Sequence, residues 1–467
     1  MNDVAKALDT ARSHADAWLT TLPERPVPPQ ATIEEVKEAL GKTLPEHSGS
    51  PEETIELLGR AGEPGLNAMP AGRFFGFVIG GTHPAALAAD WLTSAWDQNC
   101  GLRSLTPTHT AVEDLASAWL LDLLGLPAES AVGFTTGATT ANFTALTTAR
   151  DEVLRRAGWD VARLGLAGGP RVRVLVGEER HVSVDVALRY AGLGEPETVA
   201  ADAQGLIRPD ALVAALDEAE RDQSMPTVVV LQAGNIHSGG SDPFAALCSV
   251  AHQHGAWVHV DGAFGLWAAA SSTYRHLVEG VAEADSWATD AHKTLNVPYD
   301  CGLVVVRDEA ALQSSMGVTG AYLIRDATCQ PVDKVPEMSR RGRAFPVWAV
   351  LHSLGRSGVE QLVDRLCAHA RAFAEAMADV PGAEVVNDVV FTQVCIRFGS
   401  EEQTRQVVAA LLDDGTTWMS GSTWQARAVL RISVSNWATT GEDVQRSVEA
   451  VRRAADRLDA GQHDAKA

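Results

Sequence analysis

The stretch "ADSWATDAHKTLNVPYDCGLVVVRD", residues 284–308, sets one lysine, Lys293, between a short strand-like run and a second apolar run. Lysine is among the side chains least expected inside a protein. Here a histidine precedes it, Ala291, Leu295 and Val297 flank it, and the strand-like residues 303–306 follow, a setting suited to an interior. A lysine desolvated in this way can present a neutral, nucleophilic amine. Its meaning depends on what the rest of the chain brings to it.

Outward from this stretch the pattern is alternation. The runs "VGFTTG", "RVRVLVG", "TVVVLQAG", "AWVHVDGA", "DSWATD" and "GLVVVRD" read as short strands separated by helical segments. That order predicts an α/β fold with a mostly parallel, buried sheet. Ahead of it, "AALAADWLTSAW" and "TAVEDLASAWLLDLLG" read as helices, the second opening on a capping box from Thr110 to Glu113. The expected organisation is a helical N-terminal arm over 1–85, a large α/β domain over 86–320 and a small α+β domain over 321–467. The last would hold one long helix after Pro346 and the strands "AEVVND", "VVFTQVCIRFG" and "RAVLRISVSN", with a frayed tail.

At 467 residues the chain exceeds the size at which one core stops growing. Its 46% hydrophobic and 21% charged residues are those of a globular protein, and no apolar run reaches bilayer length. The charged N-terminal segment reads as an amphipathic helix rather than a secretory signal. Cysteines 100, 248, 301, 329, 367 and 395 lack metal-ligand spacing, which argues for reduced thiols in a cytoplasm and for no metal site. A net charge of -22 opposes binding to nucleic acid and to anionic membranes. An anionic ligand must then be held by backbone amides, helix N-termini and a few chosen cations.

Ligands of open α/β sheets gather at the carboxyl ends of the strands. "VGFTT" ends in Gly137-Ala138-Thr139 before a helical run, so backbone amides there could cradle a phosphate, although the same residues serve a plain strand-to-helix turn. "RVRVLVG" leads to His181, either a stacking ring or a helix-cap histidine. "AWVHV" ends in Asp261, a carboxylate that is costly at a buried strand end without a partner. Lys293 follows 32 residues later. A lysine and an aspartate on successive strand ends, a stacking histidine and a phosphate-cradling turn are what holding pyridoxal phosphate requires. The lysine forms the Schiff base, and the aspartate pairs with the pyridine nitrogen.

These segments resemble the group II pyridoxal-phosphate-dependent amino-acid decarboxylases, relatives of the glutamate and aromatic amino-acid decarboxylases. "HVDGAFG" (259–265) and "DAHKTLNVPYDCG" (290–302) are similar to the family's aspartate and His-Lys motifs, and "GFTTGATTANFTAL" to its phosphate-binding turn. "RFFGFVIGG" and "LTPTHTAVEDLASAWLLDLLG" look like its N-terminal active-site segments, so the resemblance runs from roughly residue 70 to 440. It implies a type I aminotransferase-like fold, a homodimer with active sites at the interface, and decarboxylation of an L-amino acid. It also implies Lys293 as the cofactor lysine, His292 beside the phosphate, His181 on the ring, Asp261 at its nitrogen, Ala263 on the other face and Asn235 as a polar contact. Arg431 in "LRISVSN" would face the substrate carboxylate, although a strand arginine is as often structural. Phe75 and Phe77, with Phe74 and Trp96, would line the pocket or belong to the core.

The chain departs from the family in one place. The best-known members carry a proton-donating tyrosine on a mobile loop, and the equivalent segment, "IRDATCQPVDKVPEMSRRG", has none. The chain's tyrosines are Tyr190, Tyr274, Tyr299 and Tyr322. His181, Tyr322 or a residue of a second copy would have to serve; otherwise the carbanion is diverted, giving an aldehyde with oxygen or cleavage at Cβ. A non-catalytic protein of this fold would be expected to lack the lysine or the aspartate. A nicotinamide dehydrogenase needs GxGxxG, which "GFTTGAT" does not supply.

Overall fold

The computed structural model describes residues 2–220, 225–318 and 329–464. Its strands are β1 (Phe74–Phe75), β2 (Ala131–Thr135), β3 (Arg173–Gly177), β4 (Glu197–Val199), β5 (Thr227–Gln232), β6 (Trp257–Asp261), β7 (Ser286–Asp290), β8 (Gly302–Val306), β9 (Ala383–Val385), β10 (Gln393–Phe398), β11 (Trp418–Trp424) and β12 (Arg427–Ser433). The valine-rich middle runs form strands where the alternation predicts them, because apolar residues on both faces suit a sheet covered by helices on both sides. They build one seven-stranded sheet in the order β2-β8-β7-β6-β5-β3-β4. β7, β6, β5, β3 and β4 are parallel neighbours, and only β8 runs against its neighbours β7 and β2. The carboxyl ends of β2, β3, β5, β6 and β7 therefore share one edge.

The chain divides into two units, one of Met1–Ile79, Ala372–Val386 and Cys395–Ala467, the other of Gly80–Arg371 and Asn387–Val394. The sequence suggests three segments instead, because nothing local reveals that the N-terminal residues pair with the C-terminal ones. Within the first unit, β1 runs parallel to β11 at the edge of a five-stranded sheet, β1-β11-β12-β10-β9. The buried Arg73 donates to the carbonyls of Pro23 (2.8 Å), Arg25 (3.0 Å) and Thr416. The seven-stranded sheet lies in the second unit.

Three local expectations are corrected. The helix expected to begin at Thr110 is Pro107–Leu124, with Pro107 at the start where a missing N–H costs nothing. Thr110 is therefore buried inside it, and Glu113, instead of capping, pairs with Arg340 at 2.9 Å. The long helix starts at Ala344, before Pro346, and is broken at Gly355, whose φ of 63° leaves the right-handed region. β11, "WMSGSTW", is missing from the sequence reading because Gly421 and two serines dilute its alternation. Among the described residues no helix is long and apolar enough to cross a membrane.

Candidate active site

The shared strand edge brings the expected residues of the second unit together. Asp261 is the last residue of β6 and Asp290 the last of β7, and Lys293 sits in the turn after Asp290. The Lys293 side chain is 19% exposed, and its Nζ lies 3.0 Å from Asp290 Oδ2. The other oxygen of Asp290 accepts the Ala138 amide at 2.6 Å, in the first turn of the helix Ala138–Arg156. One buried carboxylate thus joins the lysine to the phosphate-cradle turn. The amides of Thr139 and Thr140 follow in that turn, where a helix offers its N–H groups no acceptor of its own.

Gly137 leads into this helix, and a Cβ on it would stand 3.3 Å from Cε1 of His292. His292 therefore packs against the glycine that opens the cradle. Its Nδ1 accepts the Cys301 amide at 3.1 Å, its ring stacks on Tyr299 with centroids 4.2 Å apart, and Nε2 is 3.5 Å from Asp290. Burial pushes its pKa down, against the pull of Asp290.

The Lys293 turn is clamped from the other side by residues 80–83. The Gly81 amide donates to Asn296 Oδ1 at 2.6 Å, and the His83 amide to the Asn296 carbonyl at 2.8 Å. Gly80 approaches so closely that a Cβ would fall 2.1 Å from the Lys293 carbonyl oxygen.

Asp261 is 4% exposed. It accepts from Asn142 Nδ2 at 3.1 Å, from the Ala263 amide at 3.2 Å and, more weakly, from Ser183 Oγ at 3.5 Å. All these donors are neutral, and among the described residues no cationic side chain pairs with it. A buried carboxylate in that position calls for a cation from outside the chain. The protonated nitrogen of a pyridine ring is such a group, so the donor set fits the cofactor that the sequence suggests. His181 caps the helix Val182–Tyr190; its Nδ1 accepts the Ser183 amide at 3.2 Å and lies 2.7 Å from Ser183 Oγ. The helix-cap reading is thus the one the geometry displays. In the neutral ring an accepting Nδ1 leaves the proton on Nε2.

Asn235 is buried, and its side chain ties its own loop to the segment after β3. Nδ2 donates to the Glu179 carbonyl, and Oδ1 accepts the amides of His237 and Ser238. Phe75, Phe77 and Arg431 belong to the first unit. Phe75 is buried in that unit, edge-on to Phe373 at 4.8 Å. Phe77 is 55% exposed at a φ of 55°, and the buried Arg431 donates to its carbonyl at 3.3 Å. Tyr322 lies outside the described residues. Asp290, Asn142, Ser183 and Gly80 are the site residues that the sequence reading misses.

A family model described as the pyridoxal-dependent decarboxylase conserved domain matches residues 34–399. Among curated relatives, tryptophan decarboxylase 1 of Oryza sativa subsp. japonica is 26% identical over 486 residues, covering 97% of this chain and 93% of its own. Cysteine sulfinic acid decarboxylase of Homo sapiens is 28% identical over 334 residues, covering 70% of this chain and 67% of its own. A crystal structure of Oryza sativa TDC with PLP and tryptamine superposes with a TM-score of 0.91 at 24% identity, over 98% of each chain. That of Rhodiola rosea 4-hydroxyphenylacetaldehyde synthase gives 0.87 at 22%, over 98% of this chain and 99% of its own. The architecture is the type I aminotransferase-like fold expected from the sequence.

Proposed function

From the premise that the chain belongs to the pyridoxal-dependent decarboxylase family, and so is a carboxy-lyase that uses pyridoxal phosphate, we propose that it removes carbon dioxide from an L-amino acid to leave an amine, with Lys293 carrying the cofactor through its side-chain amine. The observation that carries this reading is the pairing of a buried, cation-free Asp261 with Lys293 at neighbouring strand ends.

When bound, the cofactor supplies an electron-poor ring that accepts the electron pair left on Cα as carbon dioxide departs. The chain's own residues have the remaining tasks. Asp261 holds a proton at the ring nitrogen, with His181 against one ring face and Ala263 beside the other. The first turn of the helix Ala138–Arg156, with Gly137, Ala138, Thr139 and His292, holds the phosphate. Asp290, 3.0 Å from the Lys293 amine, holds that amine in place beside the phosphate cradle. Arg431 we assign to the substrate carboxylate, which its planar guanidinium suits, and Phe77 to the substrate side chain. His181 Nε2–H is the candidate for returning a proton to Cα.

The absence of a tyrosine from residues 324–342 favours a second reading, in which oxygen diverts the carbanion to an aldehyde or a bond to Cβ is cleaved. One experiment separates them. Borohydride reduction and peptide mapping should place the pyridoxyl group on Lys293, and a mass-spectrometric screen of L-amino acids should show loss of carbon dioxide with amine as the main product. An adduct on another lysine overturns the site. An aldehyde share rising with oxygen selects the second reading, and release of an aldehyde from Cβ without carbon dioxide selects a lyase.

A further inference from the structure

Asp261 stands at the end of a chain of hydrogen bonds that begins deep in the sheet. Trp257 Nε1 lies 2.9 Å from Ser286 Oγ, Ser286 Oγ 3.0 Å from His259 Nδ1, His259 Nε2 2.9 Å from Asn142 Oδ1, and Asn142 Nδ2 3.1 Å from Asp261 Oδ2. Trp257, Ser286, His259 and Asn142 are all buried. Secondary structure sets the alignment. His259 and Asp261 are two apart on β6 and so share a face, and the β6–β7 register sets Ser286 beside His259.

The polarity of the chain follows from its two ends. An indole nitrogen only donates, so Ser286 Oγ accepts from Trp257 and its hydroxyl hydrogen is free for His259 Nδ1. An accepting Nδ1 in a neutral imidazole leaves Nε2 as the donor to Asn142 Oδ1. From the other end, a carboxylate only accepts, so Asn142 must turn its NH2 to Asp261 and its oxygen to His259. Both ends demand the same tautomer of His259 and the same orientation of Asn142. Burial drives the His259 pKa down to about 3, so the ring stays neutral wherever the protein is folded and active.

We propose that Trp257, Ser286, His259 and Asn142 form a one-way donor relay that keeps Asp261 an anion, and thereby keeps the proton on the cofactor's ring nitrogen. This rests on the reading that Asp261 faces that nitrogen. His259 and Asn142 are positioning residues, since neither touches the ring. Aligned donors polarise one another and strengthen the last bond, the one to the carboxylate. Without them the carboxylate is more basic, the shared proton moves from nitrogen towards oxygen, and the ring becomes a poorer electron acceptor.

The test uses holoenzyme loaded with pyridoxal phosphate labelled with nitrogen-15 in the ring, and reads the solid-state shift of that nitrogen together with kcat and KM. His259→Phe removes the Nε2 donor, whereas His259→Gln sets an amide donor near its place. The Phe variant should move the shift towards the unprotonated value and lower kcat about tenfold, ~1.4 kcal/mol, with KM little changed. The Gln variant should stay near wild type. Ser286→Ala, a smaller change should the Phe variant not fold, should shift in the same direction. A wild-type shift in His259→Phe or Ser286→Ala, or equal losses in the Phe and Gln variants, overturns the relay. If the wild-type ring nitrogen itself is unprotonated while the pyridoxyl adduct maps to Lys293, the Asp261 assignment has failed rather than the relay.

Discussion

Gly80 shows how narrowly single residues set this site. Its would-be Cβ meets the Lys293 carbonyl oxygen at 2.1 Å and the His292 carbonyl oxygen at 2.9 Å, both backbone atoms that no rotamer change can move. Gly80→Ala must push the Lys293 turn or residues 80–83 away, and overpacking of this kind costs about 1–3 kcal/mol. The expected result is a lower melting temperature and cofactor lost on dialysis, read from the near-visible absorbance per chain. Gly49→Ala, where nothing lies within 4 Å, is the control and should change neither. Full cofactor retention and wild-type stability in Gly80→Ala would show that the clamp gives way freely. The sequence exposes Lys293, Asp261 and His181 because each ends or follows a strand and breaks its apolar pattern. It hides Asn142, which lies 119 residues from Asp261 and meets it only once the sheet has formed. His259 leaves one trace, the alternation of "HVD", which puts two polar side chains on one face of a strand that otherwise buries apolar ones. Asp290 is visible as a letter beside the lysine but not as a link, since its bond to Ala138 joins segments 152 residues apart.

At the scale of an element, the helix Pro107–Leu124 carries an acid-sensitive group. His109 is buried, edge-on to Phe345 at 5.3 Å and 3.6 Å from Glu113. Burial pushes its pKa down to about 4 despite the neighbouring carboxylate. Above about pH 6.5 the ring is neutral in both folded and unfolded chains, and the group adds no pH dependence. As pH falls from there towards 4, the unfolded chain takes up a proton that the folded one refuses, so stability drops, by at most about 3 kcal/mol, and then levels off. His259 acts with the same sign over a wider window. His109→Phe keeps the ring's shape without its basicity, and denaturant titrations at several pH values should show a flatter decline between pH 6.5 and 4. A variant whose decline parallels wild type would mean that other groups, the carboxylates first, carry the acid sensitivity. The helix itself is legible from its apolar spacing; its first turn is not, because Thr110 and Glu113 mimic a capping box while Pro107 starts the helix one turn earlier.

For the whole molecule, the question is what covers the apolar residues that a single copy leaves in water. On the helix Pro84–Trp96, Leu92 and Trp96 are 48% and 47% exposed and one helical turn apart, so they share a face; Trp91 beside them is 44% exposed. Leu105 and Leu115 in the same unit are 58% and 47% exposed. Large apolar side chains exposed together, as on the helix Pro84–Trp96, mark a surface meant for a partner, and the expected partner is a second copy of the chain. The charge works against that pairing. Each copy carries a net charge of -22, so two repel one another at long range, and apolar contact must outweigh a cost that salt screens. Two consequences can be measured by sedimentation. Wild-type protein should be a dimer that dissociates less readily as salt rises, the reverse of an assembly held by ion pairs. Leu92→Glu, which adds one more negative charge to the apolar face without touching Lys293 or Asp261, should shift the population towards monomer and lower activity as the dimer is lost. A wild-type monomer that retains cofactor and turns over substrate would show that the site is complete in one chain and that this face serves some other contact.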